Sequence, residues 1–203
     1  AASLLTVPES WGMSDPLVIA AVENGEPSPI AEQVEALLAK VDSLTRLRRL
    51  APTDKRLALM FWNHPEGEKN VAASNLNVPR SLARLATALQ QAGYDVPAVD
   101  ETRLIDTAQR LLGGYYRPQT LDSLLADGLA ITVPLSAYQR WLADQPDSRR
   151  IALLQRWGKP AEHWALRDIE GHAHFVIPAA RLGKLVWLPQ PPRAGRPGDA
   201  YHD

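Results

Sequence analysis

The sequence predicts an α/β fold: a parallel-type sheet core with a βαβ unit, several helices and a C-terminal strand pair. Three observations carry this. The apolar run Leu57-Ala58-Leu59-Met60-Phe61-Trp62 is continuous rather than alternating, the pattern of a parallel strand covered on both faces. A strongly amphipathic stretch follows, with Leu82, Leu85, Ala86 and Leu89 on one side and Gly93 at its end. Tyr94-Asp95-Val96 then reads as a second strand, completing a strand–helix–strand unit with a right-handed crossover.

Taken in order, residues 1–30 read as irregular, punctuated by Pro8, Pro16, Pro27 and Pro29. Residues 30–50 read as a helix, with Val34, Leu37, Leu38, Val41, Leu44 and Leu47 at helical spacing. Arg46, Arg48 and Arg49 sit at its end, where cations suit the helix dipole. Residues 1–50 thus form an N-terminal irregular segment and helix, and 51–203 a separate α/β domain. Pro52-Thr53-Asp54 is a turn, and Lys55 to Trp62 a central parallel strand. Asn77 caps the amphipathic helix, with Pro79 near its first position.

Beyond Val96 the pattern turns mostly helical. Glu101 to Leu112 buries Leu104, Ile105, Ala108, Leu111 and Leu112 and stops at Gly113-Gly114. Thr120 caps a short helix carrying Leu121, Leu124 and Leu125. Helices at Ser136–Ala143 and Asp147–Trp157 follow, and place Trp141 and Trp157 in the core. His172 to Ile177 and Lys184 to Leu188 form the closing strand pair, joined by Pro178 to Gly183 as a hairpin or a short excursion. The proline-rich Pro189-Gln190-Pro191-Pro192-Arg193 suits neither a helix nor a central strand.

Residues 63–79 are the main functional candidate. A buried strand that ends in a long polar loop at a helix N-terminus is where α/β proteins place ligands. Asn63 and His64 end the strand, and an imidazole can relay a proton near neutral pH. Asn75 and Asn77 precede the helix, where backbone N–H groups suit an anion. Trp62, beside the loop, could stack on a planar ligand, although a core position suits it better.

Composition narrows the classes. With 45% apolar and 22% charged residues, the 203-residue chain has the balance of a globular protein. A net charge of −1 gives no reason to expect nucleic-acid or membrane binding. The absence of cysteine excludes disulfides and thiolate chemistry and fits the cytoplasm. No apolar run reaches the ~18 residues of a spanning helix. The start, Ala1-Ala2-Ser3-Leu4-Leu5, reads as a cut end rather than a signal peptide. His172 and His174 share one face of a strand, but two imidazoles need a third ligand, so a surface pair is the better reading and no metal site is assigned. No GxGxxG, GxxxxGK[ST], GxSxG or HExxH pattern is present, so a self-contained nucleotide-hydrolysing site is not expected.

Several words of sequence together resemble the large subunit of aerobic cobaltochelatase (the CobN type) and its relative, the H subunit of magnesium chelatase. They are Lys55-Arg56-Leu57-Ala58-Leu59, Asn63-x-Pro65, Asn70-Val71, Leu76-Asn77-Val78-Pro79-x-Ser81-Leu82 and Ala92-Gly93-Tyr94-Asp95-Val96. Downstream come Tyr138-x-x-Trp141-Leu142, Arg156-Trp157-Gly158-x-Pro160, Leu182-Gly183-x-Leu185-Val186, Gln190-Pro191-Pro192-Arg193 and Tyr201-His202-Asp203. Glu66, Lys69, Lys184 and Ala194 depart from the family pattern. The Gln-Pro-Pro-Arg word favours the cobalt branch. The resemblance implies an internal fragment of a subunit that binds a tetrapyrrole, hydrogenobyrinic acid a,c-diamide, and inserts cobalt as the substrate metal. It implies ATP hydrolysis on separate AAA+ partner subunits and no cofactor on this fragment, which is expected to be inactive alone. His64 and His202 are then the candidate proton or metal handlers. Asn63, Asn75, Asn77, Gln190 and Arg193 are the candidate substrate contacts. A structural, partner-contacting module without its own site, and a magnesium-type fragment, are the alternatives.

Overall fold

The computed structural model describes residues 7, 10–12, 17–64 and 67–191. The chain divides into two units, Ala1–Ala51 and Pro52–Asp203.

In the first unit, β1 (Ala20–Glu23) and β2 (Glu26–Pro29) form an antiparallel hairpin within the stretch expected to be irregular. Asn24 and Gly25 turn it with φ of 52° and 86°. Positive φ at both central residues matches the right-handed twist of the strands, and Asn-Gly is the dipeptide that best allows it. Helix α1 (Ala31–Arg49) lies where its periodicity placed it, yet has no buried residue. Its apolar stripe is open: Leu38, Val41, Leu44 and Leu47 are all at least half exposed.

The second unit begins with a 3-10 turn at Pro52–Asp54 and strand β3 (Leu57–Phe61). β3 forms a three-stranded sheet with β10 (Leu185–Pro189) and β9 (Ala180–Leu182), in the order β3-β10-β9. β3 and β10 run parallel, with Leu57 opposite Leu185 and Phe61 opposite Pro189. The expected central strand is therefore an edge strand. Its burial alternates, and Met60 is 54% exposed. The place at the centre belongs to β10, where Leu185, Trp187 and Pro189 point inward.

The expected second strand, Tyr94–Val96, is not a strand, so the βαβ reading gave β3 the wrong neighbour. Val96 is buried and Asp95 O accepts one hydrogen bond from Lys184 N at 2.7 Å. That single bond seats the segment beside the β9–β10 turn without making it a ladder.

Helix α2 (Val78–Gln91) and helix α3 (Glu101–Tyr116) cover one face of this sheet. Their buried residues Leu82, Ala86, Leu104, Ala108 and Leu111 enclose Trp187, whose ring lies 4.9 Å from that of Phe61. Gly93, at φ 83°, ends the α2 segment where expected. α3 instead continues through Gly113-Gly114 to Tyr116. A Cβ on Gly114 would lie 2.6 Å from Pro178 and 2.9 Å from Leu124, so the glycine allows close packing there rather than a stop.

A second sheet follows. After α4 (Leu121–Ala126), β6 (Ala130–Pro134) leads into α5 (Leu135–Ala143) and α6 (Asp147–Trp157). β7 (Leu166–Ile169) and β8 (His172–Pro178) then complete an antiparallel sheet of order β6-β8-β7. The expected pairing of His172–Ile177 with Lys184–Leu188 does not occur, because β8 and β10 belong to different sheets. Thr120 does not cap α4 through its side chain; its hydroxyl donates to Arg117 O at 2.9 Å. Trp141 and Trp157, expected in the core, are 48% and 49% exposed. Among the described residues no helix is long and apolar enough to cross a membrane.

Candidate functional site

The loop after β3 is more structured than its polarity suggests. Asn63 is only 9% exposed, and its Nδ2 donates to Gly67 O at 3.1 Å, folding the loop back on its own start. His64 N donates to Ala72 O, and Ser74 N to His64 O, both at 2.8 Å. These bonds lay His64 beside a short hairpin of β4 (Ala72–Ala73) and β5 (Leu76–Asn77). Both main-chain polar groups of His64 are thus used and its side chain faces out, 5.8 Å from the Trp62 ring. Glu68 pairs with Arg117, and Gln109 Nε2 donates to Lys69 O at 3.4 Å, so the loop is also tied to α3.

Gln190 joins this edge. Its N donates to Phe61 O at 2.7 Å as β10 ends. The two parallel strands therefore finish together, and Asn63, His64 and Gln190 leave from the same carboxyl edge. That is where parallel sheets collect ligands.

Asn75 and Asn77 belong to the β4–β5 hairpin, whose Ala73 bridges His64. With Lys69, Ser74 and Gln109 they line an open depression of about 380 Å³. Asn77 Oδ1 accepts from Arg80 N at 2.9 Å, while its Nδ2 donates to Glu101 Oε1 at 3.3 Å. Arg80 also pairs with Glu101 at 3.2 Å. The cap is therefore occupied, and Pro79 has no N–H, so the first turn of α2 has little left to offer an anion. Arg193 and His202 lie outside the described residues.

A larger cavity, of about 500 Å³, lies in the second sheet's half of the unit. Sequence reasoning did not single it out. Tyr115, Tyr138, Trp157, His163, Trp164 and Phe175 supply its aromatic wall. The His163 and Trp164 rings stack at 5.3 Å and 30°. Phe175 meets His163 edge-on at 5.5 Å, and Tyr138 likewise at 5.4 Å. Trp164 also meets Tyr115 at 6.3 Å and 75°. Such tilted and offset arrangements suit the aromatic quadrupole. Arg167 braces the wall: it donates to Trp164 O at 3.0 Å and to Pro118 O at 2.7 Å, and pairs with Asp122 at 2.8 Å.

Burial lowers the pKa of His163 and raises that of Tyr115 to about 12. Ala165 N donates to His163 Nδ1 at 3.2 Å, which in the neutral ring leaves the proton on Nε2. In that neutral form His163 can donate through Nε2.

His172 and His174 are not drawn together as ligands. His174 Nδ1 lies 2.9 Å from His172 O, and among the described residues no three His, Cys, Asp or Glu side chains converge on a metal position. The aromatic cavity had no local signal, because its wall comes from α3, α5, α6, β8 and the segment before β7. Only the His163-Trp164 pair and the Trp157-Gly158-x-Pro160 word hinted at it.

The family model described as CobN/Magnesium Chelatase matches residues 1–203. The CobN subunit of aerobic cobaltochelatase from Pseudomonas aeruginosa is 30% identical over 162 residues, covering 77% of this chain and 12% of that protein. The H subunit of magnesium chelatase from Chlorobaculum parvum is 31% identical over 108 residues, covering 52% of this chain and 8% of that protein. The solved catalytic subunit of cobaltochelatase from Mycobacterium tuberculosis superposes with a TM-score of 0.66 at 25% identity, covering 88% of this chain and 14% of that one.

Proposed function

Because the chain belongs to the CobN/magnesium chelatase family, we propose that it forms part of the tetrapyrrole-binding, metal-inserting large subunit of an ATP-dependent cobaltochelatase. The observation that carries this reading is the family match along all 203 residues. The cobalt branch is favoured by the Gln190-Pro191-Pro192-Arg193 word, and the cobaltochelatase relative aligns over more of the chain than the magnesium relative, 77% against 52%. In this reading the ring is hydrogenobyrinic acid a,c-diamide, cobalt is the substrate metal, AAA+ partner subunits hydrolyse ATP, and the complex is cytoplasmic.

Insertion replaces inner N–H protons of the ring, one in a corrin and two in a porphyrin, by the metal ion, so it needs a held ring and a proton acceptor. The shared carboxyl edge of β3 and β10 supplies such groups. His64 has an outward imidazole on a backbone fixed from both sides. Asn63 is buried and holds the loop through Gly67 O, which makes it a positioning residue for His64. Gln190, half-buried at the neighbouring strand end, is the amide contact, with Arg193 following it in sequence.

The test uses the complete subunit with its ATPase partners. Cobalt insertion and ring affinity are followed by absorbance in His64→Ala, Gln190→Ala and Arg193→Ala. A loss of turnover of about 10²-fold or more in His64→Ala is expected for a positioned acid–base group. Unchanged affinity and turnover in all three variants would remove the site.

The open apolar stripe on α1 supports a second reading, a partner-contacting module with no site of its own. Capture of the ATPase subunits by this chain, without ring binding, would favour it.

A further inference from the structure

We propose that the aromatic cavity is a second ligand subsite, which takes the face of a planar conjugated ring carrying acidic arms. The ligand class rests on the function proposed above; the location does not. A cavity of about 500 Å³ lies within the ~300–1,000 Å³ of small-molecule sites, and its walls are those of such sites: mostly apolar, with few polar groups. Five rings, of Tyr115, Tyr138, His163, Trp164 and Phe175, are held at 5.3–6.3 Å from their neighbours and form an aromatic wall against which a flat ligand can pack.

Two features give that ligand its charge. In its neutral form His163 offers an Nε2–H donor and no free acceptor, since Ala165 N occupies Nδ1. Two cations, Arg156 and Lys159, flank the lining residues Trp157, Gly158 and Pro160 in sequence without lining the cavity themselves. The Arg156 guanidinium lies 5.6 Å from the Trp157 ring and has no carboxylate partner among the described residues. Lys159 is paired with Glu162 at 3.5 Å on the exposed surface. Donor and guanidinium both select a carboxylate or amide oxygen over an ammonium. Pro191, just past the end of β10, also lines the cavity, so the strand edge bearing Gln190 leads into it.

The probe is coproporphyrin, a porphyrin tetracarboxylate, titrated into this 203-residue chain and read by tryptophan quenching. A porphyrin with four cationic arms is the control. Saturable quenching by the tetra-acid is expected, with the tetracation at least about tenfold weaker. His163→Phe keeps the stacking surface but removes the donor, and should weaken the tetra-acid by about tenfold. Leu154→Glu, on the exposed lip of the cavity, should weaken both porphyrins, and Arg156→Ala only the acid. Circular dichroism confirms folding; if Leu154→Glu does not fold, His163→Phe and Arg156→Ala decide. No saturation by about 100 μM, or the same midpoint in the folded variants, overturns the proposal. So does a dimer that Leu154→Glu dissociates, because a second copy would then fill the cavity. Cobalt insertion that fails in His64→Ala while the cavity variants bind porphyrin normally would remove the subsite and leave the proposed function standing.

Discussion

Gly183 should be among the least replaceable residues of the second unit. It turns β9 into β10 at φ 61°, and a Cβ built there would stand 2.3 Å from Asp95 O, a backbone atom. Replacement by alanine combines three costs. The left-handed conformation costs a side-chain-bearing residue about 1–2 kcal/mol. The overlap forces two backbones apart, at about 1–3 kcal/mol. The Lys184 N to Asp95 O bond, 2.7 Å long, lies in the path of that movement and contributes about 0.5–1.5 kcal/mol. Together the loss is about 2.5–6.5 kcal/mol, a fall in Tm of about 5–25 °C for a unit of this size. Gly128→Ala is the control, since Gly128 has nearly the same φ, 67°, with nothing within 4 Å of its Cβ position. It should lose only the conformational part, about 1–2 kcal/mol. Urea titration followed by tryptophan emission measures both. If the two variants agree within about 0.5 kcal/mol, the close approach to Asp95 is not what holds the turn.

Asn77→Ala should cost about 1 kcal/mol of stability through loss of the cap on α2, ligand or none. Asn75→Ala, whose exposed side chain has no hydrogen bond among the described residues, should stay within about 0.5 kcal/mol, and thermal melts separate the two. The pH dependence has two arms. Burial depresses the His163 pKa, so its contribution is present above the unfolded value of 6.5 and is lost as pH falls below it. Melting curves between pH 7.5 and 5 should therefore show a smaller acid loss in His163→Phe. Tyr115, with its pKa pushed up to about 12, contributes stability that is full below pH 10 and is lost as pH rises from there to 12. In Tyr115→Phe that alkaline loss should shrink, and absorbance at 295 nm should show one fewer late-titrating phenol.

Local chemistry was legible where it alone decides the structure. Asn77, Pro79 and Gly93 bracket α2, and the bounds of α6 and the extent of α1 follow from periodicity. The hairpin at Asn24-Gly25 was equally local, but Pro27 and Pro29 masked it by suggesting coil; an exposed two-stranded ribbon tolerates both. Gly113-Gly114 misled for the opposite reason. Glycine ends helices by default, and only the packing of Pro178 and Leu124 on that face explains why it continues one. The run at 57–62 looked like a central strand because its composition is apolar throughout, whereas Ala58 and Met60 are exposed. Sequence neighbours suggested 94–96 as its partner; the true partner, β10, lies at the far end of the unit, and no periodicity encodes that distance. The site divides the same way. The strand-end residues could be named in advance, while the aromatic cavity exists only once five separated segments have met.

The pairing of β3 with β10 also bears on how the protein is made. About 120 residues separate the strands, so β3 leaves the ribosome about 6–25 s before its partner at 5–20 residues per second. Through that interval an apolar strand has an open hydrogen-bonding edge, the kind of surface on which nascent chains associate wrongly. Helices α2 and α3 emerge in between and can shelter its inner face, but not its edge. Synthesis stopped before Leu185 would leave both Phe61 and the carboxyl edge without the strand that completes them.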